Sequence, residues 1–100
     1  MDPAIPNIYI SDVVVSTAGR DQGSLYYVIS TDEMFLMLVN GKDRTLDKPK
    51  RKKLRHFQKV LRSETRVAAK IASGDKVLNS ELRRDLAYFA REMQANNLGG

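Results

Sequence analysis

The chain has 100 residues, 42% of them hydrophobic and 29% charged, with a net charge of +5 and neither cysteine nor tryptophan. That length holds one small domain, or a small domain with an appendage. Without cysteine there are no disulfides, thiolate metal sites or cysteine nucleophiles, and a single histidine, His56, argues against a His-pair metal site or a Ser-His-Asp triad. The longest apolar run, residues 34–39, is strand-sized rather than membrane-spanning. The opening Met1-Asp2-Pro3 lacks the basic and apolar regions of a secretory signal. The expectation is a cytoplasmic protein with no membrane partner.

Residues 1–7 carry two of the three prolines and are expected to form a flexible arm. A first strand is predicted within 12–17, centred on Val13, Val14 and Val15. The loop Ala18-Gly19-Arg20-Asp21-Gln22-Gly23-Ser24 follows, its glycines supplying positive-φ positions. Strands are predicted at 25–30 and 34–39, separated by a polar turn. Asn40-Gly41 is a hairpin signal, so a short fourth strand is expected at 43–46. Pro49 should end it. Residues 54–60 suit a last strand or the start of a helix. A strand is preferred, because five short strands can close a small barrel whereas four leave an open edge.

Beyond residue 60 the β character fades. Ser63 is expected to cap a helix over 64–72, stopped by Ser73-Gly74. Asn79 is expected to cap a second helix over 80–95, with Leu82, Leu86, Phe89, Ala90 and Met93 along one face. The two should form a helical hairpin over 61–96, with a disordered tail at 97–100.

Charge is concentrated rather than spread. Residues 42–59 hold nine Lys/Arg and two Asp, a net of +7, while the rest of the chain nets −2. A solvated linker would tolerate such a run, but its density fits a polyphosphate-binding surface. No apolar anchor adjoins it, which disfavours a membrane surface. In the first loop, glycines let backbone approach a sugar–phosphate chain, and free amides there can form an anion nest. Arg20 can fork onto a phosphate or a guanine edge. Spacing alone is equally satisfied by an ordinary turn with Arg20 solvated. Asp21 suits closing the turn or orienting Arg20. Adjacent Tyr26 and Tyr27 must face opposite sides of their strand, so at most one can stack on a base.

The segment Ser16-Thr17-Ala18-Gly19-Arg20-Asp21-Gln22-Gly23, after a Val-rich strand, resembles the opening of a KOW motif. The resemblance continues through Asp32-Glu33, Asn40-Gly41-Lys42, Leu46-Asp47-Lys48-Pro49-Lys50 and Lys52-Lys53-Leu54-Arg55-His56. Together these resemble the small bacterial KOW-domain RNA-binding proteins, which are similar to archaeal and eukaryotic large-subunit ribosomal proteins. The residues before the first strand, Asn7-Ile8-Tyr9-Ile10-Ser11, lack the Gly the family often has there. The resemblance, which covers roughly residues 10–60, implies an SH3-like five-stranded β-barrel of KOW type over 8–60; with the two-helix hairpin after it, the expected class is α+β. The resemblance also implies RNA binding in a translation setting, and no reaction.

The expected RNA-contacting residues are Ser16, Gly19, Arg20, Gly23, Lys42, Arg44, Lys48, Lys50, Arg51, Lys52, Lys53, Arg55 and His56. No catalytic residue, metal or cofactor is expected. The expected partner is RNA, ribosomal RNA foremost, with a ribosomal or translation-factor protein as a possible second partner through the helices. The competing expectation is an SH3-like protein-interaction module that docks an acidic translation or transcription partner.

Overall fold

The computed structural model describes residues 8–99, with side chains through Gln94. The expected arm at 1–7 and Gly100 lie outside the described residues. The strands are β1 Asp12–Ser16, β2 Leu25–Thr31, β3 Phe35–Val39, β4 Lys50–Lys53 and β5 Phe57–Arg62, followed by helices α1 Arg66–Ser73 and α2 Asn79–Gly99. All strand pairs are antiparallel, in the order β4-β3-β2-β1-β5. The α+β class and the order of five strands then two helices match expectation. The edges β4 and β5 are not hydrogen-bonded to one another, so the sheet does not close into a barrel. Among the described residues no helix is long and apolar enough to cross a membrane.

The fourth strand is displaced from its expected place at 43–46. The Asn40 side-chain carbonyl accepts from the backbone amides of Lys42 and Arg44, and its amide donates to Asp43. These local bonds compete with a strand ladder and hold 40–49 as a loop. Strand β4 instead begins just past Pro49, which has no N–H to donate to a ladder. Within residues 54–60 the preferred strand forms from Phe57 onward as β5, after a one-turn 3₁₀ helix over Leu54–His56.

Alternation along the strands builds two cores. Val13, Tyr27 and Val39 form one row across the sheet, covered by Val67, Ala68, Leu82, Leu86 and Phe89 of the helices. The opposite face gathers Ile8, Val14, Tyr26, Val28, Leu36, Leu38 and Phe57 into a second cluster. Register shifts leave Ile29 on β2 and Val60 on β5 as extra residues. Such bulges deepen twist, and both extra residues pack against the helix-side core.

Three helix-end expectations change. Thr65, not Ser63, caps α1, its hydroxyl accepting from the Ala68 amide at 3.1 Å. Strand β5 runs to Arg62, which leaves Ser63 buried beneath the helices. Asn79 does not cap α2, because its side-chain carbonyl accepts from the Leu46 amide in the 40–49 loop. Glu81 reaches back to the Leu78 amide at 2.9 Å, the acidic half of a capping box. Helix α2 continues to Gly99, so residues 97–99 of the expected tail lie on its backbone. Gly74 ends α1 in a left-handed conformation, as expected.

A partly buried polar cluster joins sheet to helices. The Tyr27 hydroxyl donates to Asp85 Oδ2 at 2.7 Å and lies 2.9 Å from Ser63 Oγ, while the Thr65 hydroxyl donates to the same Asp85 oxygen at 2.7 Å. The 40–49 loop is pinned to α2 at Gly41, whose carbonyl accepts from Arg83 Nη1 at 2.6 Å. A Cβ at Gly41 would run into the Asn79 carbonyl oxygen, so only glycine allows this approach.

Tyr27→Phe should therefore cost about 1.5–3 kcal/mol, the usual worth of a hydrogen bond to a charged group, read by urea unfolding. Burial, with the bond to Asp85, raises the Tyr27 hydroxyl from 10.0 to about 12, against a lowering from Ser63 and Thr65. A raised acid holds its full contribution below the unfolded value and loses it as pH climbs through the folded one. Wild-type stability should thus fall between pH 10.0 and about 12, with a shallower fall in Tyr27→Phe. Equal stability of the two proteins at neutral pH would contradict this role.

Candidate nucleic-acid interface

The first loop, 17–24, is closed from within. The Gln22 amide donates to the Gly19 carbonyl, Gly23 to Ser16 and Ser24 to Asp21. These three amides are thereby occupied, so they do not provide the free N–H groups of an anion nest. Gly19 and Gly23 have φ of 81° and 93°, which a side chain would strain. Ser16 is buried at 3% exposure, and its hydroxyl donates to the Ala18 carbonyl and to Asp21 Oδ1. It shapes the loop from beneath rather than offering a contact. Arg20 is exposed.

Asp21 is the loop's internal anchor. Its two oxygens accept from the Ser16 and Tyr26 hydroxyls, at 3.1 and 3.0 Å. Burial pushes its carboxyl upward, but the bonds from Tyr26, Ser16 and its own backbone, with the nearby Lys50 charge, outweigh that and hold it below the usual range. A second clamp joins the loop to the 3₁₀ turn: the Thr17 amide and hydroxyl both donate to the His56 carbonyl at 2.9 Å. The loop thereby sits against the turn that carries Arg55 and His56.

Strand β4 sorts its cations by alternation. Lys50 and Lys52 pair with the buried Leu38 and Leu36, whereas Arg51 and Lys53 pair with Met37 and Phe35. Cross-strand partners share a face, so Lys50 and Lys52 lie on the side of Tyr26, and Arg51 and Lys53 on the other. The Arg51 guanidinium sits 3.6 Å from the Phe35 ring centroid, a cation–π contact. Lys50 feels its crowding. Burial, then Lys52 and Arg44, hold its ammonium below the usual lysine value, against a small opposing pull from Asp21.

The structure thus brings Lys50, Lys52 and Arg44 together beside Asp21, and brings the first loop to Arg55 and His56. Gly23 and Lys42 meet elsewhere, along a groove on α2. Lys48 is exposed in the 40–49 loop, where its amide donates to the Thr45 carbonyl. Lys59, within the basic stretch of sequence, pairs with the buried Asp12 at 3.1 Å and belongs to the fold. Among the described residues the ion pairs are Lys59–Asp12 and Lys70–Glu81, so neither involves the cations of 42–55. Both tyrosines are buried, Tyr26 at 2% and Tyr27 at 0%, so neither stacks on a base. Among the described residues no cluster of three or more His, Asp or Glu is placed to hold a metal ion.

Sequence reasoning missed Arg83, whose partner Gly41 lies 42 positions away. No local pattern signals such a pairing. It also left open which group Asp21 would engage. The serine five residues before it and the tyrosine five after it, across a tight loop, were the available signal. Compared with known proteins, the chain matches no family model, and no curated protein gives a significant match.

Tyr26→Phe removes one of the two hydroxyls on Asp21. The Asp21 carboxyl should then titrate nearer the ordinary aspartate value of about 3.9, measured by carboxyl ¹³C NMR. Because its folded pKa is depressed, the stability it lends the loop is present above the ordinary value and lost as pH falls through the lowered one. An unchanged Asp21 titration in this variant would show that Tyr26 does not hold the loop.

Proposed function

We propose that this chain is a non-catalytic, cytoplasmic RNA-binding protein of the KOW type that contacts ribosomal RNA on the ribosome or a precursor. The observation that carries this reading is β4, an edge strand of four consecutive cations, Lys50, Arg51, Lys52 and Lys53. None of the four is neutralised by an ion pair among the described residues. Cations fixed on a strand lose less freedom on binding than cations on a tail. Neutralising phosphates releases counterions and gives affinity without reading sequence.

The sheet architecture proposed with it is SH3-like, a barrel of KOW type left open between its edge strands β4 and β5. Its support is the cluster on one face of the sheet, where Val14 of β1, Tyr26 and Val28 of β2, Leu36 and Leu38 of β3 and Phe57 of β5 pack together. Lys50, Lys52 and Arg44 on one side, with Arg20 and Arg55 near the clamped loop, make five candidate phosphate ligands. A-form RNA suits such a surface because its phosphates line a narrow groove that side chains cannot read by base. Arg20, the loop's exposed fork, is the residue suited to a guanine edge or a bidentate phosphate contact.

Five phosphate contacts predict that log K falls with log salt with a slope of roughly −3.5 to −4.5. The variant Arg20→Ala/Lys50→Ala/Lys52→Ala retains two of them, so its slope should shrink to roughly −1.4 to −1.8. It should also lose co-sedimentation with ribosomes. Wild-type co-sedimentation by the triple variant would overturn the assignment of these residues. Equal or better retention on duplex DNA than on folded RNA would overturn the RNA reading itself.

A further inference from the structure

A second surface lies along α2. A groove of about 560 Å³ runs between the helix, Gly23-Ser24-Leu25 and Asn40, and an adjoining one of about 340 Å³ shares Gly23, Leu25 and Ala90 with it. Together they follow α2 from Arg83 to Gln94, a rise of roughly 16 Å or three turns. Arg83, Ala87, Ala90 and Gln94 recur at steps of four, three and four, which makes one helical stripe. It adjoins the stripe of Leu82, Leu86 and Phe89 that is buried against the sheet.

The chemistry of the trough differs from that of β4. Its floor is apolar: Leu25, Leu86, Ala87, Ala90 and Met93. Among the described residues its charged lining is Lys42, Arg83 and Arg91, with no Asp or Glu. The acids nearest in sequence have partners of their own. Asp43 accepts from Asn40, Asp85 from Tyr27 and Thr65, and Glu92 from Tyr88. Arg83 is fixed by one guanidinium nitrogen on the Gly41 carbonyl; an Arg has further donors to offer. Among the described residues no aromatic ring lines the trough, so these residues offer a nucleobase no stacking platform.

We propose that this trough docks an acidic amphipathic helix of a partner protein, about three turns long. The partner's aliphatic side chains would enter over Ala87 and Ala90, with carboxylates toward Lys42, Arg83 and Arg91. Small alanines allow close approach of the second helix, and the cations supply orientation; this is helix-in-groove recognition. The surface shares no residue with the five proposed phosphate ligands, so protein and RNA can be held at once.

The test is an NMR titration of the full chain with a synthetic helical peptide bearing leucines at i, i+3 and i+7 flanked by glutamates. Amides of Leu25, Ala87 and Ala90 should shift at peptide concentrations below about 1 mM. Lys50→Ala/Lys52→Ala should leave those shifts unchanged. Ala90→Glu and, separately, Arg91→Glu should weaken binding about tenfold or more, while the strand amides keep their wild-type positions. Both substituted positions are exposed. The proposal is overturned if the shifts fall on β4 and the first loop instead, or if none occur. It is also overturned if polyuridylate RNA shifts the trough amides where the peptide does not, or if they shift with protein concentration alone, which would mark a second copy as the occupant.

Discussion

Successive side chains on a strand point to opposite faces, and at Tyr26-Tyr27 that alternation ties two halves of the molecule to one strand. The Tyr27 hydroxyl reaches through one face to Asp85 and so fixes α2 and the start of α1. The Tyr26 hydroxyl reaches through the other to Asp21 and so fixes the first loop. Both rings are buried within apolar clusters, so each hydroxyl must find a partner or carry a desolvation cost. A one-residue slip of β2 would exchange the two faces and undo both anchors together.

The proposed binding surface follows from that arrangement. With the first loop held from beneath by Asp21 and from the side by Thr17, Arg20 is presented on a closed scaffold rather than on a loose turn. Strand β4 contributes cations in two sets, because the sheet pleat assigns alternate residues to alternate faces. One set places Lys50 near Lys52 and Arg44, and burial, then those two charges, depress the Lys50 ammonium. A phosphate placed there would relieve the repulsion. The other set has Arg51 laid over Phe35, which gives that side a packed surface. The trough on α2 is a third environment, apolar at its floor and cationic at its rim.

Much of this was legible in the sequence because its causes are local. Val13-Val14-Val15, Tyr26-Tyr27-Val28 and 35–39 formed strands where β-branched and aromatic residues cluster, and Gly74 ended α1 where a left-handed residue was needed. The failures came where one side chain had two possible partners. Ser63 and Asn79 both have capping chemistry, yet each is bonded to a distant element, Tyr27 in one case and the Leu46 amide in the other. The fourth strand was misplaced because Asn40-Gly41 reads as a two-residue hairpin, whereas the Asn40 side chain organises a longer loop. The charge run was plain as composition. Its division between two faces was not, because that division depends on a strand whose position was mistaken. Lys59 fell inside the run in sequence but outside it in space, through its pairing with Asp12.

Ultraviolet crosslinking in cells, with both the nucleotide and the peptide side of each crosslink mapped, tests the proposed RNA contact most directly. The account predicts crosslinks to ribosomal RNA carried by peptides containing Arg20 or residues 50–56. Crosslinks to messenger or transfer RNA, or ribosomal crosslinks carried only by α2, would contradict it.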